Sequence, residues 1–109
     1  AQTALEGQIR LAARHISIVD IIEVVAKHFD IRLADLHSKK RSQSIALPRQ
    51  ICMYLARSLT GHSLEEIGGH LGGRDHTTVM HACSKIAEAK ESDPKMKALL
   101  DELARQITA

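Results

Sequence analysis

The chain has 109 residues, enough for one domain with a small core of its own. Hydrophobic residues make up 44% of it, but with one Phe, one Tyr and no Trp the core must rest on Leu, Ile, Val, Ala and Met. A net charge of +2 does not mark a nucleic-acid binder by itself, and no apolar run approaches the roughly eighteen residues that span a bilayer.

Residues 1–15 read as an N-terminal connector, helical or not, ahead of a domain over 16–109. Ser17 can cap a first helix in which Ile18, Ile21, Ile22, Val25 and Phe29 make one buried stripe, ended at Asp30. Arg32 to His37 reads as a short helical turn. Ser38 to Leu47 reads as a polar, basic connection, after which Pro48 fits the first position of a helix, where its missing N–H costs nothing. That helix carries Ile51, Cys52, Leu55 and Leu59 inward and stops near Gly61, with Arg49, Met53 and Arg57 aligned on another face.

Ser63 and Glu66 then form a capping box at the start of a helix over about 63–71. Leu64, Ile67, Gly68 and Leu71 repeat at apolar spacing, and Gly68 lets a neighbouring helix approach closely. Gly72 and Gly73 can take the positive φ that redirects the chain. Asp75 is the N-cap of a further helix over about 75–91, whose first turn is His76, Thr77 and Thr78 and whose buried stripe is Val79, Ala82, Cys83 and Ile86. Asp93-Pro94 opens a last helix with Met96, Leu99, Leu100, Leu103 and Ile107 inside. With no strand signal and no repeat, the expectation is an all-α, compact multi-helix domain containing a helix-turn-helix.

Several constellations mimic other chemistry. Seven histidines invite a metal, but His70, His76, His81 and Cys83 lack HExxH or CxxC spacing, and no metal site is expected. Asp75-His76 beside two threonines suggests a nucleophile, yet neighbours on one helical turn point apart, so no catalytic residue is expected and the chain is not read as an enzyme. No GxxxxGK[ST] loop is present to hold ATP. Cys52 and Cys83 read as buried free thiols, and with no signal peptide visible the expected location is the cytoplasm.

Charge is segregated. Between Leu36 and Leu64 there is no acid, while Lys39, Lys40, Arg41, Arg49 and Arg57 all occur. Beyond it acids follow at Glu65, Glu66 and Asp75 and from Glu88 onward. On a helical wheel Thr77, His81, Ser84 and Glu88 centre the polar face of the helix after Gly73, with His76 at its tip. Such a tip can enter a DNA major groove, where a Thr methyl packs on thymine, Asp accepts from a base amino group and His donates to a purine N7. An ordinary helical hairpin has the same generic pattern.

The string GGRDHTTVMHACSKI over Gly72–Ile86, with SKKRSQSIALPRQICMYLARSLTGHSLEEIG upstream, closely resembles the C-terminal DNA-binding domain of DnaA, the bacterial chromosomal replication initiator. The resemblance runs without gaps from about Ile16 to the C-terminus. It implies sequence-specific binding of double-stranded DNA at short asymmetric origin boxes, with ATP held by a separate upstream domain and no cofactor in this chain. It implies base reading by Asp75, His76 and Thr77, and by Arg41 in the minor groove. The phosphate-contacting set is then Ser42, Arg49, Gln50, Arg57, Arg74, Thr78, His81 and Lys85. The nucleoid becomes the expected location, a monomer the expected state, and acidic phospholipids or regulatory proteins further partners of the full-length protein. Some family members carry arginines where this chain has Gln43 and Leu47, which bears on binding strength before specificity. The rival readings are a protein- or acidic-lipid-interaction module and a dimeric helix-turn-helix repressor on a palindromic site.

Overall fold

A computed structural model describes residues 16–38 and 42–108, apart from the side chain of Gln43. The proposed connector at 1–15 and Arg41 lie outside the described residues. Six α-helices are present, and no strand occurs among the described residues: α1 Ile18–Phe29, α2 Leu33–His37, α3 Gln43–Leu59, α4 Leu64–His70, α5 His76–Ser92 and α6 Pro94–Thr108.

Helix α1 starts where Ser17 accepts from the Asp20 amide and Asp20 answers to the Ser17 amide, a full capping box. It ends at Asp30, whose left-handed φ of 55° lets its amide reach back to the last carbonyls. Ile18, Ile21, Ile22 and Val25 of its stripe are buried, and Phe29 packs half-buried at the rim.

Helix α3 differs from the expectation at its start. It begins at Gln43 with Ser42 as N-cap, so Pro48 lies inside the helix and Ser42–Leu47 is not part of an irregular connection. The added turn is held by burial: Ile45 is 8% exposed, Pro48 is fully buried, and Leu47 packs against the core. That burial offsets the one hydrogen bond a mid-helix proline removes. The Arg49–Met53–Arg57 face also departs from expectation. Met53 is buried where α5 crosses α3, Arg49 is buried against the carbonyls of Asp35, Leu36 and Ser38, and Arg57 alone of the three is exposed.

The two helices of the helix-turn-helix meet at Gly68. A Cβ on Gly68 would run into the Arg74 carbonyl and the Val79 side chain, so only glycine allows this approach. The Gly68 carbonyl in turn accepts from the amides of Leu71, Gly73 and Arg74. Gly72 and Gly73 take φ of 93° and 76° to make the turn. The core includes Ile21, Val25, Leu36, Ile51, Ile67, Leu71, Val79, Ile86, Leu100 and Leu103, so that every helix contributes to it. Helix α6 packs on α5, α1 and α3 and closes the core with Leu100 and Leu103 buried.

Candidate nucleic-acid interface

The tip of α5 stands free of the core. Asp75 is its N-cap, with Oδ1 accepting from the Thr78 amide at 2.8 Å. That bond holds the Asp75 carboxyl below its ordinary range, so the group is anionic and its position fixed at neutral pH. His76, Thr77 and Thr78 follow as exposed residues, and His81, Ser84 and Lys85 continue the exposed face. Val79, Ala82 and Ile86 bury the opposite side. The helix is thus anchored along its length and bare at its start.

Two recesses flank this tip. One is a cavity of about 290 Å³ between α3 and α5, lined by Arg49, Gln50, Arg74, Thr78, His81 and Lys85 among others. The other is a groove lined by Arg57, Ser63, Leu64, Glu65 and His76. Arg57 is pinned there by donating to the His62 carbonyl at 3.0 Å, which also fixes the entry to α4. Thr77 and Ser84, also exposed on α5, line neither recess.

The predicted residues are not all brought together: Asp75 and Thr77 sit at the exposed tip of α5 and line neither recess. Arg49, Gln50, Arg74, Thr78, His81 and Lys85 come together in the larger recess, and Arg57 and His76 share the smaller. Ser42 is exposed at the start of α3, its Oγ 3.4 Å from that of Ser44. Arg49 is the exception: it is only 5% exposed, with Nε donating to the Leu36 carbonyl at 3.2 Å and Nη2 to those of Asp35 and Ser38 at 3.3 and 3.0 Å. Burial and the nearby Arg74 charge lower its pKa, so its charge sits in a costly place.

Sequence reasoning passed over two features. Gln50 turns its Oε1 into the protein, where that atom has no hydrogen-bond partner among the described residues. Met80 is 45% exposed on the outer surface of α5, one turn after His76. The wheel places Met80 at the polar margin, but reading apolar residues as core hides it. No signal in the sequence indicates the Gln50 orientation. Among the described residues no cluster of His, Cys, Asp or Glu could hold a metal, and no helix is long and apolar enough to cross a membrane. Both cysteines are free, and burial pushes the thiol pKa of each up.

Comparison with known proteins fixes the family. Residues 18–86 match the model of the bacterial DnaA helix-turn-helix. The chain belongs to that family. It is 50% identical over 96 residues to the chromosomal replication initiator protein DnaA of Symbiobacterium thermophilum, covering 88% of this chain and 21% of that protein. It is 54% identical over 91 residues to the DnaA of Laribacter hongkongensis, covering 84% of this chain and 19% of that protein. A crystal structure of a DNA replication initiation factor superimposes with a TM-score of 0.77 at 34% identity, over 95% of this chain and 31% of that one. The chain therefore spans about a fifth of the length of the DnaA proteins it matches. The all-helical fold with its helix-turn-helix is that of the DnaA C-terminal domain.

Proposed function

We propose that this domain binds double-stranded DNA sequence-specifically, at short asymmetric boxes of a replication origin, as part of a replication initiator. The observation that carries the reading is the bare polar tip of α5 set between two recesses that both hold arginine. A major groove about 12 Å wide admits one α-helix and has a phosphate strand on each rim. With α5 in the groove, the recess of Gln50, Arg74, Thr78, His81 and Lys85 faces one strand and Arg57 faces the other.

Roles follow from chemistry. Thr77 offers a methyl and a hydroxyl, His76 a ring N–H, and Asp75 the rest of its capping carboxylate, so these three read base edges. Thr78, His81, Lys85, Gln50, Arg57 and Ser42 serve the backbone and fix register. Arg41 enters the adjacent minor groove, where a narrow A·T-rich segment concentrates negative potential. A helix tip plus a separate arginine makes one copy of the domain sufficient for an asymmetric site, so the domain acts as a monomer. ATP, regulatory partners and acidic phospholipids belong to the remainder of the full-length protein, which works at the nucleoid.

The salt dependence of binding to a preferred duplex tests this. About five to seven phosphate contacts give a slope of log K on log salt of roughly −4 to −6. A slope near zero would refute groove binding.

A further inference from the structure

Three large apolar side chains stand exposed among the described residues: Val19 on α1, Leu33 on α2 and Met80 on α5. A lone exposed hydrophobe is ordinary on a protein surface. Met80 is set apart by its surroundings. It is 45% exposed and is not packed into or against the core. His76 and Thr77 before it and Ser84 after it are all polar and exposed.

Helix geometry brings Met80 to the tip. At about 3.6 residues per turn it falls between His76 and Thr77 around the helix surface, away from the stripe of Val79, Ala82 and Ile86 that is buried. Helical side chains lean toward the N-terminus, so a residue covers the surface of the turn before its own Cα. The turn before Met80 is the one that carries His76 and Thr77. The polar end of α5 therefore has an apolar patch built into it.

The edge of a base pair in the major groove carries one apolar feature, the C5 methyl of thymine. A thioether is a weak acceptor and no donor, so it does not read the hydrogen-bonding groups of that edge. It is unbranched and polarizable, and moulds itself to a methyl. Cytosine in the same place presents an amino group, which a methionine would strip of water and leave unpaired. Met80 is uncharged, so it adds nothing to phosphate attraction. Its effect falls on specificity alone.

We propose that Met80 is a specificity-determining residue that packs on the C5 methyl of a thymine in the major groove, beside the bases met by His76 and Thr77. The inference rests on the DNA-binding reading and deepens it. To a tip that reads hydrogen-bonding edges it adds a contact that selects thymine by its methyl.

A uracil scan tests this. The wild-type 109-residue chain enriches a duplex from a random pool, and each thymine of that duplex is replaced in turn by uracil, which removes the methyl and keeps the pairing. At the thymine under Met80 the wild type should bind roughly fourfold more weakly, the worth of one buried methyl. Met80→Ala should bind thymine and uracil equally at that position, and Met80→Leu, still apolar, should keep the penalty. Thr77→Ser retains the hydroxyl and loses only its methyl, so it marks any position that belongs to Thr77 instead. All three variants should melt as the wild type does and bind scrambled duplex with wild-type affinity.

A Met80→Ala chain that keeps every uracil penalty of the wild type would overturn the proposal. So would equal losses on enriched and scrambled duplexes, or a Leu variant that loses the penalty as fully as Ala does. A Met80→Ala chain that melts far below the wild type would overturn it too, making Met80 a support of the fold. If the wild type enriches no duplex at all, the DNA-binding reading falls and takes this inference with it. An enriched duplex whose penalties ignore Met80 sinks this inference and leaves that reading standing.

Discussion

Adding one methyl group at either of two neighbouring glycines of α4 should have opposite effects. Gly69 is exposed with nothing near its would-be Cβ, whereas a Cβ on Gly68 meets the Arg74 backbone and the Val79 side chain. In a helix interior, Gly→Ala ordinarily stabilises by about 0.5–1 kcal/mol through the unfolded chain. Gly69→Ala should show that gain. At Gly68 the obstacle is a backbone carbonyl that cannot rotate away, in a turn held by three amides on the Gly68 carbonyl itself. Overpacking costs roughly 1–3 kcal/mol and more where backbone must move, so the net loss is about 1–3 kcal/mol. For a domain of this size 1 kcal/mol moves the midpoint by about 4–8 °C, so the two variants should melt about 6 °C or more apart, on opposite sides of the wild type. Thermal and urea melts followed by far-ultraviolet circular dichroism measure it. Shifts of the same sign would refute the claim that α4 and α5 are locked together at Gly68.

Other substitutions separate the proposed roles. Thr77→Ala and His76→Ala should each lower specific binding by about 1–3 kcal/mol and leave nonspecific binding nearly unchanged, as competition titrations with scrambled duplex would show. Lys85→Ala should weaken both in similar proportion and reduce the salt slope by roughly 1. Arg41→Ala should melt as the wild type does and relax discrimination at the A·T end, with Lys rescuing only partly because it sheds water less readily. The Asp75 cap should weaken in acid: its carboxyl is held low by the Thr78 amide, so its contribution is complete above the unfolded value of about 3.9 and lost as pH falls through the folded one. Asp75→Asn still caps but does not titrate, so its melting midpoint should fall less between about pH 5 and pH 2 than that of the wild type, and equal slopes would contradict this role.

Most of the helical frame was legible because its signals are local. Ser17, Ser63 and Asp75 announce helix starts through bonds to amides three residues on, and Gly72-Gly73 announces the turn through backbone freedom. The start of α3 was not legible, since reading Pro48 as a helix opening ignores that Ile45 and Leu47 can bury an additional turn ahead of it. The fate of Arg49 was hidden for a related reason. Its side chain is decided by carbonyls eleven to fourteen residues earlier in the chain, which neither a wheel nor a motif displays. The polar tip of α5 could be read from spacing. The two recesses beside it come from the crossing of α3 over α5 and the turn before α4, and only the packed fold shows them.

The central claim is that the tip of α5 and a separate arginine together read an asymmetric duplex. Selection of random duplexes by the purified chain tests it most directly. The account predicts one short, non-palindromic motif bound by a single copy, with an A·T-rich end whose enrichment disappears in Arg41→Ala and an opposite end whose enrichment disappears in Thr77→Ala. A palindromic motif bound by two copies, or no enriched motif at all, would contradict it.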